Sequence, residues 1–195
     1  MITTAYAKDT WLGISADSSQ DTLITTLIDA ATKELEDYCG QPLLAVTGHV
    51  IAIPKLDHTT YHLPLQVIPV TVTGLEYRKK PTESWTASSA GTYAAHKDRA
   101  GWWLYSTDSF VQPYYQVTVD CGYTAGSNVP GNLQEACGML VKELFLASGS
   151  SGAPDRFGLA SKSDSNPSGS VAEALQSVRP QVHALVANYV VRNRP

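Results

Sequence analysis

The sequence has few cysteines and none of the short patterns that mark common catalytic sites. Its three cysteines, Cys39, Cys121 and Cys137, are widely spaced among apolar neighbours. This arrangement is typical of buried free thiols in a reducing compartment and does not indicate a disulfide framework. The motifs H-E-x-x-H, C-x-x-C, G-x-S-x-G and the P-loop are absent. We therefore predict no catalytic residue, no metal ligand and no cofactor.

The sequence also lacks long hydrophobic runs and a strong positive charge. No stretch approaches the roughly 18 apolar residues of a membrane span, and the opening residues have no apolar core of signal-peptide length. We therefore expect a protein made in a cytoplasm, with no membrane partner. The formal net charge of −4 disfavours a general nucleic-acid binder, which normally has a basic face. The only tight basic run, Arg78-Lys79-Lys80, is best interpreted as a solvated strand end or hairpin.

Two groups of polar residues were weighed as sites of chemistry. His58 and His62 are four residues apart beside Asp57, but a metal site needs further ligands, so surface strand histidines are the better interpretation. Glu76 and Glu83 resemble the carboxylate pair of a glycosidase only in residue type, because two acids are common in a short strand-and-turn region.

The two ends of the chain have helical patterns. A short segment over residues 6–12 ends at Gly13, and Asp17 or Ser19 is a candidate N-cap for a longer helix. The apolar residues of that helix recur at helical spacing and stop before Gly40 and Pro42. Near the C-terminus, Pro180 is suited to the first turn of a last helix. The apolar residues of the two helices are Leu23, Ile24, Leu27, Ile28, Ala31, Leu35 and Tyr38, and then Val182, Leu185, Val186 and Tyr189.

The middle of the chain, residues 47–122, has the alternating pattern of short strands. Prolines limit several of these strands to edges or turns. Residues 98–101 predict a hairpin turn, and Trp102 and Trp103 should then face opposite sides of the returning strand, one inward and one exposed. We predict a small antiparallel sheet or sandwich inserted between helices.

The segment Val117–Phe145 joins this β-rich part to a helix. Val117, Val119 and Cys121 alternate with polar residues as in a half-buried strand, and Gly126 and Pro130 lie in the turn that follows. From Leu133 the apolar period becomes helical. After this helix, residues 148–170 are rich in Ser, Gly and Pro and have too little apolar surface to order alone.

Together these patterns predict an α+β protein, a small helical bundle with an antiparallel β-rich insertion. The predicted parts are N-terminal helices over 1–46, the insertion over 47–123, a bundle helix over 124–148, a flexible segment over 149–170 and a C-terminal helix over 171–195. The aromatic residues of the insertion leave one binding function open, a carbohydrate or peptide platform, although aromatics are also common in ordinary strands. They are Tyr61, Tyr77, Trp85, Tyr93, Trp102, Trp103, Tyr105, Tyr114 and Tyr115.

Three segments resemble the head–tail connectors of tailed bacteriophages, the gp6-like adaptor or head-completion proteins. They are the opening residues 3–14 with LITTLIDAATKELEDYCGQP, then VTVDCGYTAGSNVPGNLQEACGMLVKELF, and finally VRPQVHALVANYVVR. These segments match the family's first long helix, its strand, Y-x-x-G turn, proline and helix, and its closing helix. Residues 47–115 have no position-by-position match to the family.

The resemblance implies a structural adaptor without catalysis. It implies a ring of about a dozen subunits beneath the portal, which extends the DNA channel and docks the next neck or tail-completion protein. DNA would pass without sequence-specific binding, and the protein would lie in the virion neck after assembly in the host cytoplasm. The residues expected to contact partners are Arg156, Phe157, Tyr189, Arg192 and Arg194.

Overall fold

A computed structural model describes residues 1–14, 18–55, 59–66, 68–89, 92–98, 101–107, 110, 112–126, 128–148 and 178–191. These residues form helices and antiparallel sheets in two compact units. The helical unit comprises Met1–Cys39 and Thr124–Asn188, and the β unit comprises Gly40–Tyr123 with the chain from Tyr189 onward. The predicted fold class is confirmed, whereas the finer division of the chain into five parts stays a prediction.

The first helix of the helical unit, α1, spans Thr4–Tyr6 and continues as a π-helical turn over Ala7–Leu12. The Thr3 hydroxyl accepts a hydrogen bond from the Tyr6 N–H at 3.2 Å and caps its start. Its end is Gly13, whose φ of 64° allows the left-handed conformation that closes many helices. The predicted helical segment and its glycine cap are therefore confirmed.

Helices α2 (Asp21–Cys39) and α3 (Gly131–Ala147) pack against each other and supply most of the core of this unit. The helix α2 begins two residues after Ser19, and Asp17, the other candidate cap, lies outside the described residues. Tyr38 departs from the predicted apolar stripe, because it is 40% exposed. The buried apolar residues are Ile24, Ile28, Ala31, Leu35 and Cys39 in α2, and Leu133, Ala136, Cys137, Leu140, Val141 and Phe145 in α3.

The last helix, α4, covers residues 178–186 and runs into a 3-10 turn at Ala187–Tyr189. Pro180 lies in its described first turn, as predicted. Side-chain interactions within the helical unit hold this helix. Arg179 pairs with Glu34, the rings of Tyr38 and His183 stack 3.9 Å apart, and Asn132 donates to the Leu185 carbonyl at 2.8 Å.

The β unit contains a four-stranded antiparallel sheet in the order β1-β7-β3-β4. Its strands are β1 (Val46–Ile53), β3 (Val70–Arg78), β4 (Thr86–Ala87) and β7 (Tyr114–Cys121). The strand β3 contains the predicted alternating residues Val70, Val72, Leu75 and Tyr77. The register shifts between Val72 and Gly74, and this bulge breaks the alternation.

A second, three-stranded sheet has the order β2-β6-β5, with β2 at Thr60–His62, β5 at Tyr93–Asp98 and β6 at Gly101–Ser106. Asp98 pairs with Gly101, so the predicted hairpin is confirmed. The prediction that one of Trp102 and Trp103 is exposed is wrong, because both are half-buried. The Trp102 indole donates to the Ile68 carbonyl at 2.8 Å, and Trp103 meets the His62 ring edge-on at 4.9 Å.

The three cysteines are buried and free, as predicted. Burial raises the pKa of the Cys39 thiol to about 11 and also raises that of Cys137. Such thiols are protonated at neutral pH and therefore poor nucleophiles. Among the described residues, no helix has the length and apolar character of a membrane span.

Candidate assembly surfaces

Of the five residues predicted to contact partners, the structure describes one. Arg156, Phe157, Arg192 and Arg194 lie outside the described residues. Tyr189 is 5% exposed and belongs to the β unit. A contact between any of these residues and a partner stays a prediction.

Tyr189 is held by a buried glutamine that the sequence analysis missed. Gln41 is 4% exposed, donates through Nε2 to the Tyr189 carbonyl at 2.6 Å and accepts the Gln66 N–H at 2.7 Å. Through these two hydrogen bonds, Gln41 joins three separate stretches of chain inside the β unit. Tyr123 of the same unit is a neighbour of Tyr189, and burial, with a smaller contribution from Tyr189, raises the pKa of Tyr123 to about 12. Glutamine is usually a surface residue, so nothing in the sequence marks it.

The polar residues weighed for catalysis have other partners where they are described. Glu76 accepts a hydrogen bond from the Gln116 side chain at 2.6 Å, and Glu83 accepts the Lys79 N–H at 3.2 Å. His62 contacts Trp103, while Asp57 and His58 lie outside the described residues. Within the part of the chain that the structure describes, no cluster of His, Cys, Asp and Glu has the arrangement of a metal site.

A small cavity of about 160 Å³ lies in the helical unit beside Lys8 and Asp21. The Lys8 ammonium is buried and pairs with the Asp21 carboxylate at 2.7 Å. Burial of a cation favours such a pair, since an unpaired charge there would lose its hydration. Lys8 and Asp21 therefore neutralise each other, and the other charged residue in the cavity lining is the exposed Asp9.

The aromatic residues of the β unit are divided between its two sheets. Tyr77, Tyr114 and Tyr115 lie on the four-stranded sheet, whereas Tyr61, Tyr93, Trp102, Trp103 and Tyr105 lie on the three-stranded sheet. Tyr115 is nearly buried and packs edge-on against Phe110, with ring centroids 5.2 Å apart. Several of these rings therefore serve as core or as support for neighbouring side chains.

One group of aromatic and basic residues is presented at the surface. We call Arg78, Lys79 and Lys80, together with Trp85 and Tyr114, the basic tip. The Arg78 guanidinium lies 4.4 Å from the centre of the Trp85 ring and 5.5 Å from that of Tyr114, and its Nη1 donates to the Pro81 carbonyl at 2.8 Å. The predicted strand end is thus correct, but its arginine is packed between rings.

The helical unit has the opposite charge. By sequence it contains twelve acidic and six basic side chains, a net −6, whereas the β unit has six acidic and eight basic ones, a net +2. On α2, Asp29 and Asp37 are exposed, and Asp37 pairs with Lys33 at 2.9 Å. The two units therefore differ in the sign of their net charge by sequence.

Comparison with protein families gives a match over residues 8–97 to the model described as phage gp6-like head-tail connector protein. These residues run from α1 to β5 and form just under half of the chain. They include most of the first of the three resembling segments, which begins at residue 3, and most of the middle region that had no position-by-position match. The other two segments lie outside the matched residues. No curated protein matches the sequence significantly.

Solved structures extend the likeness over nearly the whole chain. The neck of an empty GTA particle with C6 symmetry has a chain that is 16% identical, with a TM-score of 0.63 over 98% of this chain and 90% of that one. A chain in the neck of a native GTA particle with C12 symmetry is 15% identical, with a TM-score of 0.60 over 98% of this chain and 92% of that one. A chain in the virion of a native gene transfer agent particle is 16% identical, with a TM-score of 0.56 over 89% of this chain and 87% of that one. At these identities the comparison establishes a shared fold.

Proposed function

We propose that this chain, which is similar to the phage gp6-like head–tail connector proteins, is a structural connector of a phage-like particle. The observation that carries the proposal is the agreement of two independent comparisons. The family match covers α1 to β5, and the shared fold with neck proteins covers 98% of the chain. The predicted resemblance to this family is thus confirmed.

The proposed assembly is a ring in the virion neck. The structural relatives come from necks described with C6 and C12 symmetry, which supports a ring of about a dozen copies. We infer that the ring lies beneath the portal, extends the DNA channel and docks the next neck or tail-completion protein. The net charge of −4 fits a channel through which DNA passes without being held.

The connector acts by shape and contact, so the proposal includes no catalytic step. A protein of this kind meets partners that are already folded, and it is made in the host cytoplasm before it joins the particle. Arg156, Phe157, Tyr189, Arg192 and Arg194 remain the residues that we propose for contacts with portal or neighbouring copies.

Imaging of the purified protein alone and mixed with its portal tests this function. We expect a ring of about a dozen copies by negative-stain microscopy and native mass measurement, either at once or when portal is added. A chain that stays monomeric with portal, and that binds neither portal nor any neck protein, would contradict the proposal.

The alternative, a sugar- or peptide-binding virion module, has no supporting observation. Its aromatic residues are divided between two sheets, and Tyr115 is nearly buried. The alternative requires saturable glycan or peptide binding that is lost when Trp102 or Trp103 is changed to Ala.

A further inference from the structure

We propose that the basic tip docks onto the acidic helical unit of a second copy of this chain. The proposal rests on the connector function and adds the surface through which neighbouring copies meet. Tip and helical unit are different surfaces, so this contact is heterologous, and heterologous contacts that close generate rings.

The tip is built as an anchor for an anionic partner. Arg78 is half-buried between Trp85 and Tyr114, so its guanidinium is held in place before any partner arrives. Its buried Nε has no hydrogen-bond acceptor among the described residues. A donor that is buried without an acceptor costs free energy. This Nε is closed to a partner, so a partner's carboxylate would pair with the charge of the half-buried guanidinium as a whole.

The charges beside Arg78 form no salt bridge among the described residues, although the Glu83 carboxylate lies close by and accepts the Lys79 N–H at 3.2 Å. Lys79 and Lys80 are exposed and follow Arg78 directly in the chain. Within the described ranges, no salt bridge joins these three residues to a carboxylate. The tip therefore offers three adjacent positive charges to a partner.

The chemistry of the tip favours a protein partner. Tryptophan, tyrosine and arginine are the residues that most often dominate the energy of protein–protein interfaces, and here one of each forms a single cluster. A surface for the DNA backbone would use many dispersed lysines and arginines, whereas the whole β unit has a net charge of only +2.

Charge complementarity identifies the partner as a second copy. The helical unit has a net −6, and exposed Asp29 and Asp37 lie on its helix α2. Helix α2 ends with Glu34, Glu36 and Asp37 and has no basic residue in its last turn. Acids are unfavourable at that end of a helix dipole, and two of them have partners within the unit: Glu34 pairs with Arg179 and Asp37 with Lys33. The Lys33–Asp37 pair is exposed, so an incoming cation can reach Asp37. We take the surface around Asp29 and Asp37 as the receiving face.

The test is a charge reversal with a compensating reversal, read by sedimentation velocity and native mass. Under conditions where the wild type forms rings, K79E/K80E should remain monomeric. The control Lys97→Glu reverses the charge of a lysine in the same unit, on the three-stranded sheet, and should form rings. Adding D29K/D37K to K79E/K80E restores opposite charges and should restore rings. Arg78→Ala should weaken association about thirtyfold, the cost of a typical interface anchor.

The outcomes separate this inference from the connector function. If the wild type forms no ring with or without portal, the connector function fails and the inference fails with it. If the wild type assembles and K79E/K80E assembles equally well, only the inference is overturned. It is also overturned if the four-residue variant stays monomeric, or if K79E/K80E keeps its rings but loses retention of double-stranded DNA. Thermal unfolding of each variant shows whether it is folded. If Arg78→Ala destabilises the sheet, K79E/K80E still tests the inference, because Lys79 and Lys80 are exposed and their substitution should not affect folding.

Discussion

At the scale of single residues, the fold depends on glycines at positions where any side chain would clash with a neighbour. Gly138 lies in the middle of α3, where glycine is intrinsically unfavourable relative to alanine. A Cβ at this position would overlap the indole ring of Trp11. Close packing of Trp11 on α3 therefore outweighs helix propensity at Gly138. The sequence pattern of neither segment reveals this contact.

Gly122, directly after β7, gives the first prediction at this scale. Its φ is 98°, and a Cβ there would overlap the Leu44 carbonyl within the β unit. Gly122→Ala should therefore lower the free energy of unfolding by about 2 kcal/mol or more, because it combines backbone strain with a clash against backbone. Urea denaturation followed by circular dichroism measures the change.

Gly131→Ala is the matched control for this prediction. Gly131 is the first residue of α3, and a Cβ there meets nothing within 4 Å. This substitution should be neutral or slightly stabilising, because alanine favours the helix. Equal stability of the two variants would show that the turn at Gly122 tolerates a side chain.

At the scale of elements, α4 is held within the helical unit by polar contacts around Arg179. Its guanidinium pairs with Glu34 and lies 3.5 Å from the buried Glu143 carboxylate, whose Oε2 has no hydrogen-bond partner among the described residues. Burial raises the pKa of Glu143. The Arg179 charge opposes this shift, and the Glu34 charge adds to it.

The raised pKa makes Glu143 a source of pH dependence. Folded protein holds the Glu143 proton more tightly than unfolded protein, so its contribution to stability is largest below the ordinary pKa of 4.5 and is lost as pH rises through the raised value. Glu143→Gln should remove this loss and stabilise the protein at pH 7 by about 1 kcal/mol. For a chain of this size, that corresponds to a rise in Tm of roughly 2–4 °C.

Thermal melts between pH 4 and pH 8 would measure this effect. Glu135→Gln is the matched control, because Glu135 is exposed on the same helix. The control should follow the wild-type profile, whereas the Glu143→Gln profile should be flatter. Parallel profiles for Glu143→Gln and wild type would contradict the assignment.

At the scale of the whole molecule, the main feature is the opposite net charge of the two units. Association through the basic tip should therefore depend on salt. Raising NaCl from about 0.1 M to 1 M shortens the Debye length from about 10 Å to 3 Å. We expect ring association to weaken at least about tenfold over this range, the direction and scale usual for charge-steered contacts.

Sedimentation velocity at several salt concentrations would check this expectation. The Lys97→Glu variant should show the same salt dependence as the wild type, because its substitution lies on the three-stranded sheet and its basic tip is intact. Rings that are equally stable at both salt concentrations would indicate an interface that is mainly apolar.

The element types and the fold class could be predicted from the sequence, because they depend on local periodicity and on glycine and proline positions. The helices around Leu35 and Leu140, the hairpin at Asp98 and the buried thiols all follow from such patterns. In β3, a bulge between Val72 and Gly74 shifts the register, and local periodicity does not reveal it.

Only the tertiary structure decided which polar groups meet, because these contacts join residues far apart in the chain. Gln41 bonds to Tyr189 across 148 positions, and Arg179 pairs with Glu34 across 145. The basic run at Arg78 looked like a solvated strand end, and the folded sheet adds the rings of Trp85 and Tyr114 that hold its arginine. Local sequence has no record of such neighbours, since they are brought together only by strand pairing and packing.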